Sequence, residues 1–145
     1  MRVTLFGSPF DLDESVLGDD PATVERQLRE YEAGERRRFD LDVAYPESFT
    51  GRVMEAMAAI PYGETRTYGD LARELDTAPV AVGGGCGRNP VPVVVPCHRV
   101  VASDGSLRGY SAPGGLSVKR HLLDHESAVA GTDGSAQTTL DGVVQ

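Results

Sequence analysis

The sequence predicts an α+β fold, in which a short N-terminal segment with strands and a helix precedes a mainly helical segment containing a helix-turn-helix. Patterns typical of strands fall mostly before residue 46, whereas apolar residues recur at helical spacing several times between residues 47 and 126. The 145 residues also suit one compact unit, since domains hold roughly 100–200 residues. Residues 127–145 are rich in Gly, Ser and Thr, and we expect a disordered tail there.

The N-terminal segment, residues 1–46, is predicted to contain two strands around one helix. Residues 2–6 form the first strand and lead into a loop of Gly, Pro and Asp. Asp20 can cap the helix, which ends at Gly34. One face of this helix carries Val24, Leu28 and Tyr31. The three arginines at 36–38 are expected to form a solvated turn, and residues 39–45 alternate between apolar and polar side chains as a strand does.

Three helix starts follow in residues 47–126, at Ser48, Thr67 and Pro79. The second and third helices are short and separated by a turn, which is the outline of a helix-turn-helix. The third contains three consecutive glycines at 83–85, and each glycine costs about 1 kcal/mol relative to alanine in a helix. Either tight packing in the core or close approach of a ligand explains them, and both explanations stay open.

The remaining segment holds one short extended stretch and one helix. Two prolines within residues 89–92 stop helix formation, and the apolar residues 93–95 are expected to be extended. Leucines at helical spacing predict a final helix over residues 116–126.

Charge is distributed unevenly along the chain. Fourteen basic and twenty-two acidic residues give a net charge of −8, which argues against general affinity for nucleic acid. Residues 88–120, however, hold five basic side chains and one acidic one, a net of +4. The acid excess, with a single lysine among the basic residues, indicates a cytoplasm of high salt, so we expect a halophilic protein.

Several classes of protein are excluded or disfavoured. No apolar run approaches the ~20 residues that a membrane-spanning helix needs, and no signal peptide is evident. Two cysteines are too few for a disulfide scaffold and suit a reducing cytoplasm. The cysteines and histidines lack the spacing of a zinc site, so we expect no metal, and the glycine run lacks the Lys-Ser/Thr of a phosphate loop, so we expect no cofactor.

Cys97 is the strongest candidate for chemistry. It follows an apolar run, precedes His98 and lies in the basic stretch, and such surroundings favour a thiolate. Glu126 is one candidate partner to orient His98. A buried cysteine is more often an inert small hydrophobe, so the spacing alone indicates only a possible nucleophile. Cys86, which has no such neighbours, is interpreted as structural.

The Pro-Cys-His-Arg-Val stretch at residues 96–100, preceded by residues 88–95, resembles the active-site signature of the O6-alkylguanine-DNA alkyltransferases. The resemblance covers about residues 48–126 and continues through the following segments: 60–64, 67–72, 81–84, 109–111 and 119–126. It implies an enzyme that repairs double-stranded DNA containing O6-alkylguanine. It also implies that residues 47–126 form the DNA-binding and alkyl-acceptor domain and residues 1–46 a shortened N-terminal segment.

The resemblance assigns the catalytic roles residue by residue. Cys97 accepts the alkyl group permanently, His98 takes the thiol proton through a water, and Glu126 orients His98. Asn89 braces the turn before the active site. The groups expected around the extruded guanine are Tyr68, Tyr110, Ser111 and the backbone carbonyls of Cys97 and Val100.

A DNA contact surface is implied as well. The target base must leave the duplex to reach a buried thiol, and the family extrudes it from the minor groove with a helix-turn-helix. The expected DNA contacts are Val80, Ala81, Gly83, Gly84, Arg88, Arg99 and Lys119. Val80 stands where the family usually has an arginine that fills the space left by the base, so an apolar wedge would replace it. We expect a monomer that acts in the cytoplasm and has no membrane partner.

Two alternatives stay open. An alkyltransferase-like protein binds the lesion without chemistry, but such proteins have lost the acceptor cysteine, which is present here as Cys97. The departure at Val80 leaves some room for such a degenerate lesion binder. A helix-turn-helix regulator without chemistry fits the residues around Cys97 less well.

Overall fold

A computed structural model of the chain describes residues 1–105 and 115–131, and it confirms the α+β class. The elements are β1 (Arg2–Leu5), β2 (Ser8–Asp11), α1 (Pro21–Glu32), α2 (Phe49–Ala58), β3 (Arg66–Thr67), α3 (Tyr68–Glu74), α4 (Pro79–Gly87), β4 (Val100–Val101) and α5 (Gly115–Ala130). Short 3-10 turns span Glu14–Val16 and Cys97–Arg99. Within the described residues, no helix is long and apolar enough to cross a membrane.

The chain opens with a hairpin rather than with a strand and a loop. β1 and β2 pair antiparallel, with Val3 opposite Phe10, so the prediction of a loop after residue 6 was wrong. Phe6 and Gly7 form the two-residue turn with φ of 53° and 79°. Two consecutive positive φ angles match the twist of a hairpin, which reverses the chain at once.

Local capping places the helices where the sequence predicted them. The Asp20 side chain accepts a hydrogen bond from the Thr23 amide at the start of α1, and Ser48 accepts one from the Gly51 amide at the start of α2. Thr67 begins α3 with a reciprocal capping box. The helix-turn-helix consists of α3 and α4, which pack together, and α4 also packs against α2.

Two expectations for the end of the N-terminal segment need correction. Residues 39–45 form no strand. Their backbone pairs with another segment only at one isolated β-bridge, between Leu17 and Val43. The arginines at 36–38 are not simply solvated. Arg36 pairs with Glu30 at 2.8 Å, and Arg37 donates to the Val129 carbonyl at 3.2 Å.

The apolar run before Cys97 is a turn and not an extended strand. Asn89 donates from Nδ2 to the Val95 carbonyl at 2.8 Å, and its Oδ1 accepts from the Val91 amide at 3.1 Å. Between them Val93 has a φ of 75°, which costs a β-branched residue about 1–3 kcal/mol. The side chain of Asn89 therefore spans a turn in which Val93 is strained.

The last helix is longer than predicted. α5 continues to Ala130, so the expectation of disorder from residue 127 was wrong for residues 127–130; residues 132–145 lie outside the described residues. One buried apolar cluster combines residues of the N-terminal segment, such as Leu5 and Phe10, with others such as Met57 and Leu122. The boundary near residue 46 therefore stays a prediction.

Candidate active site

The three residues Cys97–Arg99 form a buried 3-10 turn, the Cys97 turn, between the Asn89-braced segment and β4. Cys97 is 7% exposed, and His98 is completely buried. β4, which begins at Val100, pairs in parallel with β3 just before the helix-turn-helix. The fold therefore places β4, which follows the Cys97 turn, beside the strand that leads into α3, while the turn itself packs against α5 and α2.

The carboxylate of Glu126 is the centre of a buried hydrogen-bond network. Its Oε2 lies 2.6 Å from His98 Nε2 and accepts hydrogen bonds from Arg99 Nη2 at 2.9 Å and the Tyr31 hydroxyl at 2.7 Å. Its Oε1 accepts from Arg99 Nε at 2.8 Å and the Gly63 amide at 3.4 Å. The pairing of His98 with Glu126 that the sequence predicted is thus present.

The network sets the protonation of both partners. Burial by itself would raise the pKa of Glu126, but the hydrogen bonds and charges of His98 and Arg99 outweigh it and hold that pKa well below its usual value. Burial lowers the pKa of His98, although Glu126 acts in the opposite direction. A neutral His98 that donates from Nε2 to the carboxylate has its Nδ1 free to accept a proton. Within residues 1–105 and 115–131, this Nδ1 has no hydrogen-bond partner.

A cavity of about 740 Å³ opens beside the helix-turn-helix. It is lined by Tyr68, Gly69, Pro79, Val80, Gly83, Gly84, Ala102 and Ser103. Val80 is 84% exposed at its edge, which is unusual for a large aliphatic side chain. The volume of the cavity is within the range of small-molecule pockets.

The three glycines of α4 divide between the two explanations that the sequence left open. A Cβ on Gly85 would lie 2.7 Å from Val53 Cγ2, so Gly85 is required by packing against α2. Gly83 and Gly84 instead line the cavity, and a Cβ on Gly83 would come no closer than 4.0 Å to Tyr68. Core packing therefore explains only the third glycine.

Comparison with known proteins places the chain among DNA alkyltransferases. The family model for the DNA-binding domain of 6-O-methylguanine DNA methyltransferase matches residues 48–128. The methylated-DNA–protein-cysteine methyltransferase of Methanosarcina acetivorans is 46% identical over 107 residues, which are 71% of this chain and 67% of that protein. The chain belongs to the 6-O-methylguanine DNA methyltransferase family.

Other members of the family agree with this assignment. The Mycobacterium bovis relative of the same name is 44% identical over 110 residues, which are 74% of this chain and 66% of that protein. The crystal structure of Mycobacterium tuberculosis OGT in complex with DNA matches with a TM-score of 0.70 and 41% identity, over 74% of this chain and 68% of that one. The chain thus spans about two thirds of the length of these relatives. The resemblance found in residues 48–126 is confirmed.

Two residues that were expected to contact DNA in this family member point inward instead. Arg99 is buried, because its guanidinium pairs with Glu126 and donates to the Ile60 carbonyl at 2.7 Å. Lys119 is 1% exposed, and its Nζ lies 3.4 Å from the Tyr68 hydroxyl and 5.6 Å from the centre of that ring. Neither cation is available to a phosphate, so both expectations were wrong.

The other predicted residues fall into two groups. Ala81 is half-buried on α4, and Arg88 is exposed and donates to the Thr50 hydroxyl at 3.0 Å. Contact of these two residues with DNA stays a prediction. Tyr110 and Ser111 lie outside the described residues.

Cys86 differs from Cys97 in its surroundings. Its Sγ lies 3.4 Å from Met57 Sδ in the core, and burial raises the pKa of its thiol to about 12. It therefore stays protonated, as expected of a structural cysteine. Among the described residues, no group of three or more His, Cys, Asp or Glu side chains is placed to hold a metal ion.

Sequence reasoning missed the parts of the site that come from distant segments. Tyr31 was interpreted only as a core residue of α1, and Arg99 and Lys119 were counted as surface charge. For Arg99 a signal existed, since it directly follows His98 and shares its turn. For Tyr31 no local signal distinguishes a hydroxyl that reaches a carboxylate 95 positions away.

Proposed function

We propose that this chain repairs double-stranded DNA by moving the alkyl group from O6 of guanine to the Sγ atom of Cys97. The observations that carry the proposal are a buried cysteine adjacent to a His98–Glu126 pair and a helix-turn-helix that lines a cavity of about 740 Å³. The family membership and the DNA complex of the Mycobacterium tuberculosis relative support DNA as the partner.

The chemistry is an in-line displacement. The Cys97 thiol gives its proton to His98 Nδ1 through a water, and the imidazolium that forms is stabilised by the ionised Glu126. The thiolate then forms a bond to the alkyl carbon while the bond between that carbon and guanine O6 breaks. The electron pair passes to the guanine, and Tyr68 on the cavity wall donates a hydrogen bond to it. No step regenerates the thiol, so each molecule acts once.

The target base reaches the site by leaving the duplex. Gly83 and Gly84 let the backbone of α4 approach the DNA closely, and Val80 enters the space that the base vacates. Tyr110, Ser111 and the carbonyls of Cys97 and Val100 are the proposed contacts to the extruded base. Arg88 and Ala81 complete the proposed DNA surface.

We place the reaction in a cytoplasm of high salt. Neither Cys86 nor Cys97 takes part in a disulfide within the described residues, and an acceptor thiol stays usable only where disulfides do not form. The net charge of −8 would weaken DNA binding at low salt by repulsion, and salt screens that repulsion. Loss of transfer activity as salt rises to molar concentration would contradict a halophilic protein.

The test is the mass of the intact protein after incubation with a duplex oligonucleotide containing O6-methylguanine. We expect a gain of one methyl group, which peptide mapping places on Cys97. Cys97→Ala should gain nothing. Cys86→Ala is the matched control, since it removes the other buried thiol and should still accept the methyl group.

An alternative function, lesion binding without transfer, is favoured by one observation. At the α4 position where the family usually has an arginine that fills the space left by the base, this chain has the uncharged Val80. A wild-type protein that binds the O6-methylguanine duplex tightly, with unchanged mass, would establish this alternative and overturn the proposed transfer.

A further inference from the structure

The N-terminal segment contributes one side chain to the hydrogen-bond network behind Cys97. Tyr31, on α1, is completely buried, and its hydroxyl donates to Glu126 Oε2 at 2.7 Å. The same oxygen lies 2.6 Å from His98 Nε2. We infer that Tyr31 is a positioning residue, which holds the Glu126 carboxylate in the orientation that pairs with His98. This inference rests on the proposed function.

The ring of Tyr31 is held on several sides. It stacks on Phe39 at a centroid distance of 5.6 Å and meets Tyr62 edge-on at 6.2 Å. Phe6 and His125 contact it at 6.4 and 5.4 Å. A ring packed in this way cannot swing aside, so its hydroxyl has a fixed position and loses little entropy when it binds the carboxylate.

The Tyr31 hydroxyl stays protonated, and so acts as a donor, at neutral pH and well above it. Burial, and after it the neighbouring Glu126, raise the pKa of Tyr31 well above its ordinary value. Tyr31 therefore keeps its proton, and the hydrogen bond to the ionised carboxylate is charge-assisted.

Tyr31 and Arg99 hold the Glu126 carboxylate from different elements. Arg99 binds both oxygens from the Cys97 turn, where it directly follows His98, and it also donates to the Ile60 carbonyl. Tyr31 belongs to α1 and fixes the carboxylate relative to the rest of the core. Without it, the carboxylate would keep its charge but lose part of its alignment with the His98 ring.

Other charged and titratable groups lie around this site and stay in place when Tyr31 changes. Those that face Glu126, His98 or Tyr31 from the neighbouring elements are Arg99, Tyr62, Lys119 and His125. Arg99, Lys119 and His125 each keep a polar or cation–π contact that does not involve the Tyr31 hydroxyl, and Arg99 also lies over the Tyr62 ring.

The test is Tyr31→Phe, which removes only the hydroxyl. We expect the single-turnover rate of methyl transfer to fall about tenfold, as the loss of one charge-assisted hydrogen bond predicts. The pH at which Cys97 is half ionised, read from the rate–pH profile, should rise, because a His98 imidazolium that is stabilised less by a misaligned carboxylate draws off the thiol proton less readily. Affinity for the lesion duplex, measured in a Cys97→Ala background, should not change.

Gln27→Met is the matched control for a merely structural role. Gln27 is buried one turn earlier on α1 and exchanges two hydrogen bonds with the Asp40 backbone, at 3.0 and 2.9 Å, without contacting Glu126. It should lower stability and leave both the rate and the pH midpoint unchanged. An unchanged rate, or an unchanged or lower midpoint, in Tyr31→Phe would overturn the inference.

A second measurement separates this inference from the proposed function. Iodoacetamide alkylates a thiolate without any DNA, and peptide mapping reports the reaction at Cys97 alone. Its pH midpoint should also move upward in Tyr31→Phe. If the wild-type protein accepts no methyl group, the proposed function fails, whereas the iodoacetamide profile still supports or overturns the role of Tyr31.

Discussion

Helix α4 and the interior behind the Cys97 turn differ in the polarity of the side chains they hold. α4 carries no charged side chain and exposes Val80 to solvent. The interior holds four polar or charged side chains, each at most 6% exposed: His98, Arg99, Lys119 and Glu126. In most proteins apolar groups are buried and charges lie outside. The buried charges are therefore the exception that needs a physical explanation, since single exposed apolar side chains are common.

The physical reasons differ between the two regions. The buried charges are tolerated because Glu126 is paired with Arg99 and accepts hydrogen bonds from four residues. The absence of bulk water also strengthens the hydrogen bond between His98 and Glu126. The apolar surface of α4 can pack against the flat faces of nucleobases. The following predictions test this contrast, from the largest expected effect to the smallest.

Glu126→Gln should produce the largest loss of stability. It leaves Arg99 buried without its counter-charge, which costs about 3–5 kcal/mol. The pKa of Glu126 is lower in the folded protein than its ordinary value of 4.5, so the stability it supplies is complete above that pH and is lost as the pH falls below it.

Urea unfolding at several pH values measures this effect. The difference in free energy of unfolding between wild type and Glu126→Gln should be greatest near neutral pH and shrink as the solution becomes more acidic than pH 4.5. A difference that is constant from pH 7 to pH 3 would mean that the Glu126 charge does not stabilise the interior.

Gly85→Ala and Gly83→Ala should have opposite effects on stability. The new Cβ at position 85 meets Val53 at 2.7 Å, and such overpacking costs about 1–3 kcal/mol. At position 83 there is room, so the higher helix propensity of alanine should stabilise the protein by up to about 1 kcal/mol.

DNA binding by Gly83→Ala tests whether the backbone of α4 approaches the DNA at this residue. Gly83→Ala places a methyl group on the cavity side and should weaken binding of the lesion duplex in spite of its stability. Equal DNA affinity for wild type and Gly83→Ala would show that the backbone of α4 does not approach the DNA at this residue.

Val80→Arg should have the smallest effect on stability. Because Val80 is 84% exposed, the free energy of unfolding should change by no more than about 0.5 kcal/mol. The rate of transfer from duplex DNA should rise, whereas the rate with free O6-benzylguanine should stay nearly the same. Equal increases with both substrates would mean that Val80 does not limit base extrusion.

Local signals in the sequence were sufficient for most helices and for part of the site. Asp20, Ser48 and Thr67 cap the helices that they were predicted to begin. The pairing of His98 with Glu126 and the bracing position of Asn89 were predicted from the resemblance of residues 48–126 to a known family, and the contacts are present. Their roles in catalysis stay predictions.

Long-range structure decided what the local pattern did not. β2 depends on a turn in which Phe6 adopts a positive φ, which no propensity favours. The turn at Val93 is imposed on an apolar run by the side chain of Asn89. Residues 39–45 have the alternation of a strand but lack a partner strand in the described part of the chain, so the pattern alone was misleading.

The sequence alone determined where helices begin, which cysteine has a basic neighbour and which family the chain resembles, because caps, periodicity and motifs act between residues close in the chain. The tertiary structure decided that Arg99 and Lys119 turn inward, that Gly85 packs while Gly83 stays open, and that Tyr31 reaches Glu126. The direction of a charged or polar side chain depends on the balance between its loss of hydration and the partners it gains. Those partners come from distant segments, so only the assembled core fixes that balance.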